Sequence, residues 1–288
     1  MLQVAKHPGA DGKARVLRRE RRLGGLGATA IGAAARVGAR CAYAGLIGDD
    51  EASRFVVATL QKDGVDCSQA PTLPGAGVVQ SSIAVGAEPP TRCILYQVPK
   101  FTGADDYRPE ASWLATVRVL HLDHYGPIGG LRAVTAVRGA GGAVVGDIEE
   151  FDNPRCRALV AAIDHLVCSA ECASTLSGLS DPSAAATALW APGRRVVIVT
   201  AGAAGCWSVD GQGATPVHHN AFHIAVKDTT GCGDVFHGVY AASLAAKLPL
   251  VQCIRHAGAA AALTAQTGSG YAGMPDRIAL DAFLAHNP

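Results

Sequence analysis

The sequence predicts an α/β protein in three layers: a mostly parallel central sheet, helices on both of its faces, and a small separate β-sheet. Three observations point there. Short β-rich runs alternate with helical patterns from Val117 to Thr200, the rhythm of βαβ units. The run Arg195 to Thr200, RVVIVT, is almost wholly apolar, as a strand covered on both faces must be. Two further β-rich runs, Val78 to Val85 and Thr91 to Val98, are joined by Gly86-Ala87-Glu88-Pro89-Pro90. They fall outside the alternation and read as a hairpin.

Taken in order, Leu2 to Arg22 is irregular or strand-like, and Gly24 to Ala28 is a tight glycine turn before an Ala-rich helix, Thr29 to Arg36. Cys41 to Leu46 reads as a short strand. Glu51 to Lys62 is a helix with Phe55 and Leu60 on one face, ended by Asp63-Gly64. After the hairpin come strand Val117 to Leu122, helix Ile128 to Arg138, strand Ala143 to Gly146, helix Pro154 to Ala162 and strand Leu166 to Cys168. Helix Pro182 to Trp190 and strand Arg195 to Thr200 follow. Helices at Asp234–Lys247, Leu250–Thr264 and Arg277–Leu284 complete the chain.

With 288 residues, the chain can bury a large core. Its 49% hydrophobic and 17% charged residues are those of a soluble protein. A net charge of +1 argues against a nucleic-acid binder, which needs many phosphate contacts. The cluster Arg15, Arg18, Arg19, Arg21, Arg22 lacks interleaved aromatics and reads as a solvated strand or loop face. No apolar run is long enough for a bilayer and no signal peptide is visible. Nine cysteines, an odd number without a Cys-x-x-Cys pair, fit reduced thiols in a cytoplasm better than disulfides or a zinc site. Cys232 stands apart: a helix N-terminus lowers a thiol's pKa, although a small apolar filler is the simpler reading.

The stretch richest in chemistry is Val226 to Gly238, VKDTTGCGDVFHG. A polar turn, Asp228-Thr229-Thr230, leads into Gly231-Cys232-Gly233-Asp234 and an apolar helical run. Glycines let backbone N–H groups approach a bound group. The start of a helix adds unpaired N–H groups and the positive end of its dipole. Together these make a socket for an anion such as phosphate. A carboxylate beside such a socket is either a helix cap or a base facing a substrate hydroxyl.

DTTGCGD resembles the C-terminal signature D-T-x-G-A-G-D of the PfkB (ribokinase-like) sugar kinases, with Cys232 where Ala is usual. Gly24-Gly25 with Gly27-Ala28, then Arg36-Val37-Gly38-Ala39 and Gly45-x-x-Gly48-Asp49-Asp50, resembles that family's N-terminal pattern. The resemblance covers the chain from about Gly12 to its end. It implies a ribokinase-like fold with an αβα core (23–77 and 101–288) and a β-sheet lid (1–22 and 78–100) that pairs with a second subunit's lid. It implies an ATP- and Mg²⁺-dependent phosphotransferase acting on a primary hydroxyl of a small sugar. Asp234 matches the catalytic base. Gly231, Cys232 and Gly233 match the anion hole. Gly24 and Gly25 match the sugar-contacting glycines, and Thr200, Gly202, Gly205 and Thr230 match positions beside ATP. Asp228, Thr230 and Gly270 match positions around a monovalent cation, potassium. The strings GG-x-x-A-T and D-V-F-H-G are closest to ketose-type members, including sulfofructose-kinase-like proteins.

Several readings stay open. Asp228 before Thr-Thr-Gly also makes an ordinary Asx-turn, and Thr200 to Gly205 also suits a plain strand-to-strand turn. Gly268-x-Gly270-x-x-Gly273 is no dinucleotide fingerprint, since no strand precedes it. There is no P-loop motif. His121 and His124 flank Asp123 at a strand end, without a third ligand for zinc. His237 either reaches the pocket of Asp234 or packs. The chain also departs from the family: the resemblance implies that the family's first strand, with its sugar-binding Asp, is absent. The family's N-x-x-E falls at Ser169 to Cys172, with Glu171 displaced by one place. One alternative is an inactive sugar or nucleotide sensor, which these departures favour; the other is a nucleoside kinase of the same fold, against which the 5% aromatic content argues.

Overall fold

The structure, a computed structural model, describes residues 1–9, 11–86, 91–268 and 270–287. Its smaller sheet has the order β2-β1-β3-β4. Here β1 is Leu2–Val4, β2 Val16–Arg19, β3 Gln80–Gly86 and β4 Thr91–Gln97. The expected pairing of the two β-rich runs is present, in register from Gln80 opposite Gln97 to Gly86 opposite Thr91. The turn expected at residues 87–90 lies outside the described residues. The opening segment, strand-like in the sequence, is two antiparallel strands, and β1 also runs parallel to β3.

Helix α1 (Leu26–Arg36) begins three residues before the sequence indicates, so the glycine turn is confined to Gly24 and Gly25. Gly25 has a φ of 88°, which a side chain would make costly. Helix α2 (Glu51–Lys62) starts where Asp50 accepts the N–H groups of Ala52 and Ser53 at 2.8 and 3.0 Å. It ends at Gly64, with a φ of 81°. The strand expected at Cys41 to Leu46 is not continuous. Ala42 bridges Asp66, Gly45 bridges Ala104 and Ile47 bridges Thr72, so the segment changes partner every few residues and no ladder forms.

The larger sheet has the order β10-β9-β8-β7-β6-β5. Four strands are parallel: β5 (Val119–Asp123), β6 (Ala143–Asp147), β7 (His165–Ser169) and β8 (Val196–Thr200). Two more, β9 (Cys206–Val209) and β10 (Val217–His219), continue it antiparallel. Alternate residues of the parallel strands feed two cores. Val144, Leu166, Val197 and Val199 pack with helices α4 (Pro127–Gly139), α5 (Pro154–Ala162) and α7 (Pro182–Ala188). Val145, Val167, Val196 and Ile198 pack with α8 (Cys232–Ala245) and α9 (Leu250–Thr267) on the other face. This two-sided burial is why these strands read as continuous apolar runs. Helix α10 (Arg277–His286) joins α1, α2, α8 and α9 in a third cluster through Leu280.

A short α3 (Ala111–Leu114), the strands β9 and β10, and α6 (Ala170–Ser177) are elements that the sequence pattern does not announce. Helix α6 is short and half polar, with only Ala173 buried; Ser169 starts it by accepting the N–H of Cys172 at 3.2 Å. Helices α1 and α8 approach closely because Gly238 lies directly on the backbone of Ala30, where a Cβ would overlap the Ala30 carbonyl. Overpacking a tight contact typically costs about 1–3 kcal/mol. Gly238→Ala is expected to lower stability by about that amount in urea denaturation, whereas Gly139→Ala, whose Cβ would meet nothing within 4 Å, should leave it nearly unchanged.

Candidate functional site

Parallel strands in an open α/β sheet place their C-terminal ends at one crevice, where ligands bind. There Asp123 ends β5 and its register partner Asp147 ends β6. Glu149 follows two residues on. Facing them is the first turn of α8. Its N-cap is Gly231, with a φ of 79°, and Asp234 lies inside the first turn rather than at the cap. A Cβ built on Gly231 would sit 3.7 Å from Gly270 Cα, 3.8 Å from the Thr29 methyl and 3.9 Å from Asp234 Oδ2. The first turns of α1 and α8 are thus side by side, each turning its positive end toward the carboxylates.

Like charges crowded in a poorly solvated place hold protons more tightly. Asp234 is pushed well above the ordinary carboxylate range, first by burial and then by Asp147, Glu149 and Asp123. Asp123 rises to about 6, chiefly by burial, with Asp147 adding to it. N–H groups of Tyr125, 2.9 Å away, and of Gly27 oppose that rise. Glu149 is also raised, by burial and then by Asp147. Asp147 and Glu149 were not singled out in the sequence. The signal was present: VVGDIEE puts acidic residues directly after a buried strand.

The other expected site residues divide into those that converge here and those that do not. Gly231, Cys232, Gly233, Asp234, Thr230 and Gly270 converge, with Gly270 close to the Thr230 carbonyl. Asp228 Oδ1 accepts the Thr230 N–H at 2.9 Å and its hydroxyl at 2.7 Å, so the Asx-turn is formed. Gly24 and Gly25 lie just ahead of α1, whose Gly27 N–H reaches Asp123. Thr200 ends β8, its hydroxyl 3.4 Å from the Cys168 carbonyl. Gly202 and Gly205 turn the chain from β8 into antiparallel β9, with φ of 56° and 85°. They lie at the same sheet end, two strands away from β6, in a strand-to-strand turn. Ser169 caps α6 and Glu171 is in that helix's first turn.

Three expectations for single side chains are corrected or settled. Cys232 at the helix start does not have a lowered pKa: burial, then Asp228 and Asp234, raise it to about 11, and its thiol points at the Ala261 carbonyl. It is a filler. Its N–H turns to the Thr229 carbonyl at 3.2 Å, which leaves Gly233 and Asp234 as first-turn amides with no helical carbonyl in reach. His121 is half-buried, with its Nε2 shut off from solvent, and its value is driven down to about 3 by burial and by His237. His237 is buried, at 5% exposure.

A cavity of ≈ 950 Å³ opens beside this cluster, lined by Tyr96, Phe101, Arg108, His124 and Tyr125 but not by Asp234. No helix of the described residues is long and apolar enough to cross a membrane. Among those residues, no group of three or more His, Cys, Asp or Glu side chains is arranged to hold a metal ion.

A family profile described as pfkB family carbohydrate kinase matches residues 2–277. The chain is 26% identical over 291 residues to Fructokinase-1 of Oryza sativa subsp. japonica, covering 88% of this chain and 86% of that protein. It is 26% identical over 261 residues to Ribokinase of Mus musculus, covering 85% and 78%. In fold it matches the crystal structure of Ribokinase from Thermotoga maritima, with a TM-score of 0.85 at 21% identity over 99% of this chain and 95% of that one.

The raised value of Asp123 has a consequence for stability. A carboxylate that binds its proton more tightly in the fold than in the unfolded chain destabilises the fold once ionised. At about 1.4 kcal/mol per pKa unit, the cost is on the order of 3 kcal/mol above the folded value. Asp123→Asn is therefore expected to be more stable than wild type above pH about 6, with the advantage shrinking as pH falls toward 3.8. Denaturant titrations at several pH values measure this.

Proposed function

The chain belongs to the pfkB family of carbohydrate kinases, and on that basis we propose that it transfers the γ-phosphoryl group of ATP to a primary hydroxyl of a small sugar, with Asp234 as the base. Members of such a family are ATP-dependent phosphotransferases with an alcohol group as acceptor, and that class is the activity of this chain. The observation that carries the finer reading is Asp234 itself. It sits in the first turn of α8, beside a glycine-flanked set of amides, with a proton affinity raised toward the working range of a base.

In the reaction, Asp234 takes the proton of the sugar hydroxyl as its oxygen attacks the γ-phosphorus and the bond to the ADP oxygen breaks. The amides of Gly231, Gly233 and Asp234 hold the charge on the transferred group. Mg²⁺ would neutralise phosphate charge when bound; it is assigned to no side chain. Gly24 and Gly25, beside Asp123, receive the sugar. Thr200, Gly202 and Gly205 at the end of β8, and Thr230 directly ahead of α8, lie beside ATP. Asp228, the Thr230 carbonyl and the backbone at Gly270 offer only oxygens, the donors that suit potassium. The D-V-F-H-G and GG-x-x-A-T strings favour a ketose acceptor. The cytoplasm, where ATP is plentiful and thiols stay reduced, is the compartment.

The smaller sheet (1–22 and 78–100) acts as the lid on a core of 23–77 and 101–288. It exposes Leu17 (58%) and Leu95 (68%), apolar side chains that pairing with the lid of a second copy would cover. Leu95→Glu is expected to convert a dimer to a monomer in light scattering; an unchanged mass removes this pairing.

ADP release over a panel of sugars and nucleosides tests the activity. Turnover with a sugar is expected. Asp234→Asn should lower kcat about 10²–10⁴-fold while ATP still binds. Turnover on nucleosides alone makes the chain a nucleoside kinase. Tight ATP binding with no turnover makes it a sensor.

A further inference from the structure

His237 follows Asp234 by three residues and is buried within the same helix start. Its Nδ1 lies 2.8 Å from the Gly233 carbonyl oxygen and 3.4 Å from Asp147 Oδ2. Its Nε2 lies 3.1 Å from the Val167 carbonyl oxygen on β7. Every one of these partners only accepts hydrogen bonds. A neutral imidazole has one N–H and would aim its other lone pair at a carbonyl oxygen; only an imidazolium donates from both nitrogens. Buried charge needs a partner, and Asp147, with a side chain 9% exposed, supplies it.

We propose that His237 is a positioning residue held as an imidazolium: its two N–H groups pin the first turn of α8 to β6 and β7, and its charge offsets the carboxylates gathered around Asp234. The role in turnover rests on the reading of Asp234 as the base; the charge state does not. The groups facing this position are Asp147 and Glu149 from the end of β6, His121 and Asp123 from β5, and Asp234 on α8 itself. From β7 it meets a backbone carbonyl. His121 supports the assignment. Its ring lies 5.8 Å from that of His237, edge-on, and its Nε2 has no hydrogen-bond partner among the described residues. A charged His237 is a reason for that neighbour to stay neutral.

Two measurements test this. In protein labelled with ¹⁵N-histidine, the signal lost in His237→Gln is expected to show both ring nitrogens protonated at and above neutral pH in wild type. Asp147→Asn should convert it to a singly protonated ring. A singly protonated ring in wild type at neutral pH overturns the proposal, whether or not the chain turns over any sugar. In the kinetic arm, His237→Gln removes the charge and keeps a donor. Asp234 then holds its proton more tightly, and the acid limb of kcat/KM is expected to move up by about one pH unit, a tenfold loss on that side. Loss of thermal stability with an unmoved limb would reduce His237 to a packing residue and refute the positioning role. Absence of turnover on every acceptor would overturn the role given to Asp234, while the labelled spectrum still decides the charge.

Discussion

The contact between Gly238 and the backbone of Ala30 sets the geometry on which the candidate site depends. Without a Cβ in the way, α8 lies against α1 closely enough for both helices to begin at the same level. Thr29 of α1 then stands beside Gly231 of α8, and the Gly27 amide reaches Asp123 at the end of β5. Two positive helix ends face one row of carboxylates along the sheet edge. A wider spacing would separate the glycine turn from Asp234.

That row is electrostatically strained. Asp123, Asp147, Glu149 and Asp234 belong to three elements, and their mutual repulsion, together with burial, raises three of them. A folding protein gains nothing from this crowding, since ionised carboxylates that prefer to be protonated cost stability. A phosphotransferase does gain: a base must want its proton, and an ordinary carboxylate is too weak to take one from an alcohol efficiently. Perturbed groups of this kind gather at functional sites. The helix starts relieve part of the repulsion by offering amides to the same space, which is also where a phosphoryl group would be held.

The sequence carried the architecture well where burial is two-sided. RVVIVT and the runs at β6 and β7 show the parallel sheet because both faces of each strand are covered. The glycine-rich start of α8 was equally legible, since Gly231 at positive φ and a carboxylate in the first turn leave a local pattern. What was illegible depended on partners distant in the chain. Cys41 to Leu46 has strand composition, yet it makes only isolated bridges to two loops, Ala42 to Asp66 and Gly45 to Ala104. The pKa of Cys232 follows burial and two aspartates rather than the helix dipole. Asp147 and Glu149 become part of the site only when α8 folds across β6, and nothing near them in sequence announces that neighbour.

The most direct test is a ¹³C NMR titration of the Asp234 carboxyl group in the intact protein. The structure requires a midpoint well above 3.8, moved downward when Asp147 is replaced by Asn. A midpoint near 3.8, insensitive to that replacement, would contradict a base tuned by its neighbouring carboxylates.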